Sequence, residues 1–264
     1  MNELTSAQLQ AWQISRLERE SPRKFIENCH LSIVGELLKC GSHLEISNCY
    51  NLEDLCHSDS EVTEKLCRLG DNIVEKLVNW TRNLPFYEEI PQETRSQVLV
   101  NKWHPLLVLI TTVQKALQAG SDTQLSHFTD LHQCNMALLD KYLSRMFSET
   151  YDPSLITKDV RNVMEKITHL MWTFMYMGLR REEYVCLQAI LLMGDVDLCV
   201  ILSQIQQRFK AALQYLVSRL HPHQPHRFSQ LLLQLTEIET ASAMLLSSKM
   251  IYIPFFLNDC NPVM

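Results

Sequence analysis

The sequence predicts an all-α protein, a three-layer antiparallel helical sandwich of about ten to twelve helices. Three observations carry this. Apolar residues recur at i, i+3, i+4 and i+7 along most of the chain, and period-two alternation is confined to a short candidate pairing near 120–128. Glycine is scarce, six in 264 residues, fewer than sheet turns and phosphate loops need. The stretch from Trp103 to Ala116 is almost wholly apolar yet shorter than the ~18 residues that span a bilayer, so it belongs inside the protein.

Each element has a local reason. Thr5-Ser6-Ala7-Gln8 has the form of a capping box and opens a helix to about Glu20, taken as a flanking helix (1–20) outside the main domain (21–264). Ser21-Pro22 restarts the chain, with serine as N-cap and proline at the first helical position. Phe25, Ile26, Cys29, Ile33, Leu37 and Leu38 then keep helical spacing until Gly41 stops it. Residues 42–59 read as a loop. Ser60 caps the next helix, which carries Val62, Leu66, Cys67, Leu69, Ile73, Leu77 and Trp80 on one side. Pro91 to Ala119 reads as a short helical turn followed by the buried run, broken by Gly120-Ser121-Asp122. Helical patterns follow at 125–148, 154–178, 181–193, 196–220 and 226–250. Tyr151-Asp152-Pro153-Ser154, Gly178, Gly194-Asp195 and Pro222 to Pro225 form the joints. No linker-like segment divides the chain, so one core is expected.

Composition excludes several classes. The net charge of −6 argues against a broad nucleic-acid footprint within this segment. No apolar run is long enough for a membrane span, and Met1 leads into a polar, amphipathic segment where a secretory signal would need an apolar one. The nine cysteines include no C-x-x-C, so no zinc or other metal site is expected, and they read as reduced core thiols. His221-Pro222-His223-Gln224-Pro225-His226 invites a metal reading. Its two prolines keep it extended and no cysteine or carboxylate lies nearby in sequence, so it reads as an interhelical turn. Glu88-Glu89 are adjacent carboxylates in a polar turn, which water solvates. No G-x-S-x-G, H-E-x-x-H or Gly-rich loop is present, and no enzyme is expected. An all-α isoprenoid-handling enzyme would need aspartate-rich motifs on facing helices, which the sequence lacks.

One passage is more specific. Leu77-Val78-Asn79-Trp80-Thr81-Arg82-Asn83-Leu84-Pro85-Phe86-Tyr87, then Ile90-Pro91, then Lys102-Trp103-His104-Pro105-Leu106-Leu107, resembles the signature of the nuclear-receptor ligand-binding domain. Arg181-Glu182-Glu183-Tyr184-Val185-Cys186-Leu187-Gln188-Ala189-Ile190 is similar to that family's eighth helix. Gln224-Pro225-His226-Arg227-Phe228 with Leu231-Leu232-Leu233 is similar to its helix 9–10 junction. Together they cover about residues 60–250. The wording leans to the orphan groups that include germ cell nuclear factor, tailless-like and FTZ-factor-like receptors.

The resemblance implies a nuclear transcription-regulating module with no cofactor of its own. Zinc and DNA contact would belong to a separate upstream module. It implies a groove that takes a coregulator helix, with Val78, Gln92, Ser96 and Leu99 as floor, Arg82 at one end, and Phe256 and Asp259 in the C-terminal activation segment. Gln92 and Ser96 are polar where the family is apolar, Thr94-Arg95 replaces the usual Asp-Gln pair, and the activation segment is degraded. A constitutive repressor-type or weakly activating receptor follows from these departures, or alternatively one that docks its own C-terminal helix in the groove. A ligand pocket would lie among Leu66, Cys67, Leu69, Ile73, Trp103, Leu107, Thr111, Gln114, Leu245 and Ser248, and is expected to be small or filled. Gln114 stands where receptors for acidic ligands place an arginine. Glu183 and Arg227 would pair, because each lies beside apolar helices and is costly alone. Residues 227–249 would be the dimer seam, with a homodimer or a monomer expected. Pro105, where an acidic residue is usual, argues against the retinoid X receptor as heterodimer partner. A lipid-liganded activating receptor and a ligand-free helical adaptor remain the alternatives.

Overall fold

The computed structural model describes residues 22–41, 62–118, 127–147, 156–195, 199–250 and 253–257, some side chains within these segments excepted. The described residues form helices α1 (Pro22–Lys39), α2 (Val62–Asn83), α3 (Gln92–Gln118), α4 (Phe128–Phe147), α5 (Lys158–Tyr176), α6 (Arg181–Leu192), α7 (Val200–Leu220), α8 (Arg227–Ser247) and the single turn α9 (Ile253–Phe256). A 3-10 turn, Tyr87–Glu89, joins α2 to α3. The expected helix before Glu20, the loop 42–59, the Ser60 cap and residues 120–126 of the candidate pairing lie outside the described residues.

The architecture is the expected all-helical sandwich. α3 and α6 occupy the middle with α7 beside them, α1 and α2 cover one face, and α5 and α8 cover the other, α4 packing on α5. Burial explains the order. Every residue from Leu106 to Gln114 in α3 and from Glu183 to Leu192 in α6 is buried. A helix apolar all round is stable in water only when other helices enclose it. Burying each large apolar side chain contributes about 1.5–3 kcal/mol, and the central helices concentrate those residues.

Two details correct the sequence reading. The residues from Pro91 onward form one helix, Gln92–Gln118, with Pro105 inside it, and not a short turn followed by a separate run. Pro105 is buried and cannot donate to the carbonyl four residues back, yet the helix runs on through it. The described cysteines are only partly core thiols, with Cys40 and Cys199 packed against the core and Cys186 inside it. All described cysteines are free, but only Cys186 is buried, and its burial pushes the thiol up to about 12. Cys29 and Cys67 are exposed.

The α5–α6–α8 corner is locked by one ion pair. Thr157 caps α5 by accepting from the Val160 amide at 3.3 Å. α5 ends at Gly178 (φ 56), where Leu179 N donates to Phe174 O and Gly178 N to Met175 O, a left-handed stop that glycine adopts without strain. That stop aims the Met177 and Gly178 carbonyls at Arg227, which donates to them at 2.7 and 3.3 Å. The same guanidinium donates to Glu183 through Nε (2.6 Å) and Nη2 (2.7 Å), and Glu183 also accepts from the Arg180 amide at 3.0 Å. Glu183 is fully buried and Arg227 is 2% exposed. His221 approaches Glu183 at 3.6 Å, but burial and the adjacent Arg227 hold its pKa low, which disfavours a second ion pair there.

Candidate partner-binding groove

Between α2 and α3 lies an open groove of about 850 Å³. Helical periodicity builds both walls. Val74, Leu77, Val78, Thr81 and Arg82 follow at i, i+3, i+4, i+7 and i+8 along α2, and Gln92, Arg95, Ser96, Leu99, Val100 and Trp103 do the same along α3. The predicted Val78, Arg82, Gln92, Ser96 and Leu99 are thus brought to one site. Leu77 is buried in the floor, whereas Val74 and Val100 stand 45% and 60% exposed at the rim. Arg82 is exposed and is the last α2 residue to line the groove. The Phe256 side chain and Asp259 lie outside the described residues, and no described residue of α9 lines the groove.

The sequence reading missed what holds the groove open. Arg95, noted only as a departure, is committed to the turn. Its Nε donates to Ile90 O (2.9 Å), its Nη2 to Glu88 O (3.1 Å) and Glu88 Oε2 (2.9 Å), and its guanidinium lies 4.7 Å from the Tyr87 ring centroid. Phe86 enters this turn at φ 67, a conformation that costs a side chain about 1–2 kcal/mol. Packing compensates: Phe86 sits 5.8 Å from Phe209 and under Arg208 at 4.7 Å, and Arg208 bonds Glu89 at 2.8 and 3.0 Å. The turn is thereby fastened to α7.

Lys102, one residue before Trp103, faces away from the groove. Its Nζ meets Glu239 of α8 at 2.8 Å and Asp195 at 3.0 Å, and Asn101 donates to Asp195 at 2.7 Å. Burial alone would lower the ammonium's pKa, but the two carboxylates outweigh it and hold the pKa raised. A lysine inside an otherwise apolar helix was the available signal, because a buried ammonium needs a carboxylate.

The expected ligand-pocket residues divide. Ile73, Leu107, Thr111, Gln114 and Leu245 are all buried core. Trp103 instead lines the groove. Cys67 is exposed, because it lies about 120° around α2 from Ile73 at 100° per residue. Ser248 is the C-cap of α8, donating to Leu245 O at 2.7 Å and accepting from the Met250 amide at 3.3 Å. The side chains of Leu66 and Leu69 lie outside the described residues. Of the expected dimer seam, Leu231, Leu235, Ile238 and Leu245 are core, while Leu233 and Leu246 are exposed. Among the described residues no cluster of three or more His, Cys, Asp or Glu could hold a metal, and no helix is long and apolar enough to cross a membrane.

Comparison with known proteins agrees with this geometry. The family model described as the ligand-binding domain of nuclear hormone receptor matches residues 58–252. Hormone receptor 4 of Drosophila melanogaster is 31% identical over 88% of this chain and 18% of its own length. Nuclear hormone receptor family member nhr-91 of Caenorhabditis elegans is 31% identical over 74% of this chain and 44% of its own. Nuclear receptor subfamily 6 group A member 1-B of Danio rerio is 28% identical over 75% of this chain and 41% of its own. The chain therefore spans less than half the length of these relatives. With the family match covering most of the chain, and the helical sandwich, the α2–α3 groove and the α6–α8 ion pair in place, the chain belongs to the nuclear hormone receptor ligand-binding domains.

Proposed function

We propose that this domain regulates transcription in the nucleus as part of an orphan-type receptor, by docking one amphipathic helix of a coregulator in the α2–α3 groove. The observation that supports this reading is the groove itself, with its apolar rim of Val74 and Val100 and its terminal Arg82. A partner helix laid along it would bury apolar residues against Leu77, Val78 and Leu99. Its C-terminal carbonyls, the negative end of the helix dipole, would face Arg82. Gln92 and Ser96 reduce the apolar contact at one end, which favours weak activation or repression over strong coactivator recruitment. The exposed Leu233 and Leu246 on α8 support a second, homodimeric contact through 227–249. DNA binding and zinc would belong to a module outside this segment.

The test is fluorescence anisotropy with a labelled Leu-x-x-Leu-Leu helical peptide. Arg82→Ala should weaken binding about 5- to 30-fold while leaving the helical circular dichroism unchanged. Unchanged affinity would remove Arg82 and this groove from the interaction.

A further inference from the structure

The two ends of the α2–α3 groove differ in chemistry. The Tyr87–Glu89 turn joins α2 to α3, so Arg82 and Gln92 are the wall residues nearest the turn, and Val74 and Trp103 are the farthest from it. At 1.5 Å per residue the α3 wall from Gln92 to Trp103 is about 16 Å long, room for about three turns of a partner helix. The far half is apolar: Val74 and Val100 stand exposed at its rim, and Leu99 and Trp103 are half-buried in its wall. The half beside the turn is polar. There Gln92 and Ser96 lie four residues apart on one face of α3. Both are exposed, and neither side chain makes a hydrogen bond among the described residues. Arg95 differs, because its donors are committed to Ile90 O and Glu88. Across the groove, the Thr81 hydroxyl donates to Leu77 O at 2.8 Å. The Gln92 amide and the Ser96 hydroxyl are therefore left to face whatever lies in this half.

A docked helix desolvates both groups. A leucine pointing inward here offers neither donor nor acceptor, so the amide and the hydroxyl lose their water without replacement, and each polar group left so weakens binding about fivefold or more. A glutamine or asparagine carries a donor and an acceptor on one amide and answers both. The helix dipole decides which end of the partner meets this half. Arg82 stands beside it, and a cation attracts the carbonyls at a helix C-terminus. We infer that the groove selects an amphipathic helix with apolar inward residues in its first two turns and an amide side chain, Gln or Asn, at the inward position of its last turn. Gln92 and Ser96 are then the residues that determine specificity. The inference rests on the groove being a helix-docking site and adds what that helix must carry.

The experiment uses the whole 264-residue chain and three fluorescent peptides built on Leu-x-x-Leu-Leu-x-x-X, whose named positions share one helix face. X is Gln, Leu or Ala. Glutamine and leucine have nearly equal helix propensity, so the comparison reads contact and not peptide order. The wild type is expected to bind the Gln peptide at least fivefold more tightly than the Leu peptide, the reverse of what apolar burial alone gives. In Gln92→Leu/Ser96→Leu, two exposed positions whose replacement leaves the core untouched, the order should reverse. A Leu peptide that binds the wild type as tightly as the Gln peptide overturns the inference, and so does a Gln preference that survives the double substitution. Arg82→Ala tells this failure from failure of the groove. If it weakens all three peptides and X makes no difference, the groove stands and the selection falls. If it weakens none, the peptides bind elsewhere and both fall.

Discussion

Replacing Arg227 by alanine tests the packing of the whole α5–α6–α8 corner. The guanidinium makes two bonds to Glu183 and one each to Met177 O, Gly178 O and Gln224 Oε1. Without it, the fully buried Glu183 carboxylate keeps only the Arg180 amide among its described hydrogen bonds. Leaving one member of a buried pair uncompensated costs about 3–5 kcal/mol, against a total stability of about 5–15 kcal/mol for a domain. The variant is therefore expected to remain folded at 25 °C with a much lower urea midpoint and an unchanged slope, followed by circular dichroism. Glu183→Leu/Arg227→Leu removes both charges and should lose less than Arg227→Ala alone, because no unpaired charge stays inside. A loss below about 1 kcal/mol for Arg227→Ala would refute the reasoning, since it would mean that water reaches Glu183 and the corner is not closed.

Two further outcomes are expected. Gly178→Ala should cost about 1–2 kcal/mol in thermal unfolding, because its φ of 56 strains any side chain although no atom obstructs a Cβ there; an unchanged melting temperature would show that the corner relaxes. Lys102 has a pKa raised above 10.5 in the fold, so its contribution is complete below pH 10.5 and is lost as pH rises through the folded value. The stability difference between wild type and Lys102→Met should therefore be constant from pH 7 to 9 and shrink above about pH 10.5, read from urea midpoints. A difference that does not change with pH would assign Lys102 a packing role only.

Local chemistry determined the outline of this protein. Helical periodicity placed the helices, and Gly178 and the Pro222–Pro225 turn marked joints that the structure retains. The all-apolar stretches around Leu106 and Ile190 required central positions, because a helix without a polar face has nowhere else to go. The same spacing put Val78, Arg82, Gln92, Ser96 and Leu99 on facing walls, since residues three and four apart share a helix face whatever the neighbours do. Pairing across long separations was legible only where the residue itself demanded a partner, and then only through a family resemblance, as for Glu183 and Arg227.

The tertiary structure alone decided the rest. Whether Arg95 faces a bound partner or its own turn depends on where Glu88, Tyr87 and Ile90 come to lie. Whether Trp103 and Cys67 point inward depends on the rotation of α3 and α2, and for α3 the Lys102 contacts to Glu239 and Asp195 on the side away from the groove fix it. The short segment 253–257 has no periodicity to read, being a single turn. Its seat beside Thr111 follows from the space the other helices leave and from a left-handed turn at Lys249 that no local propensity favours.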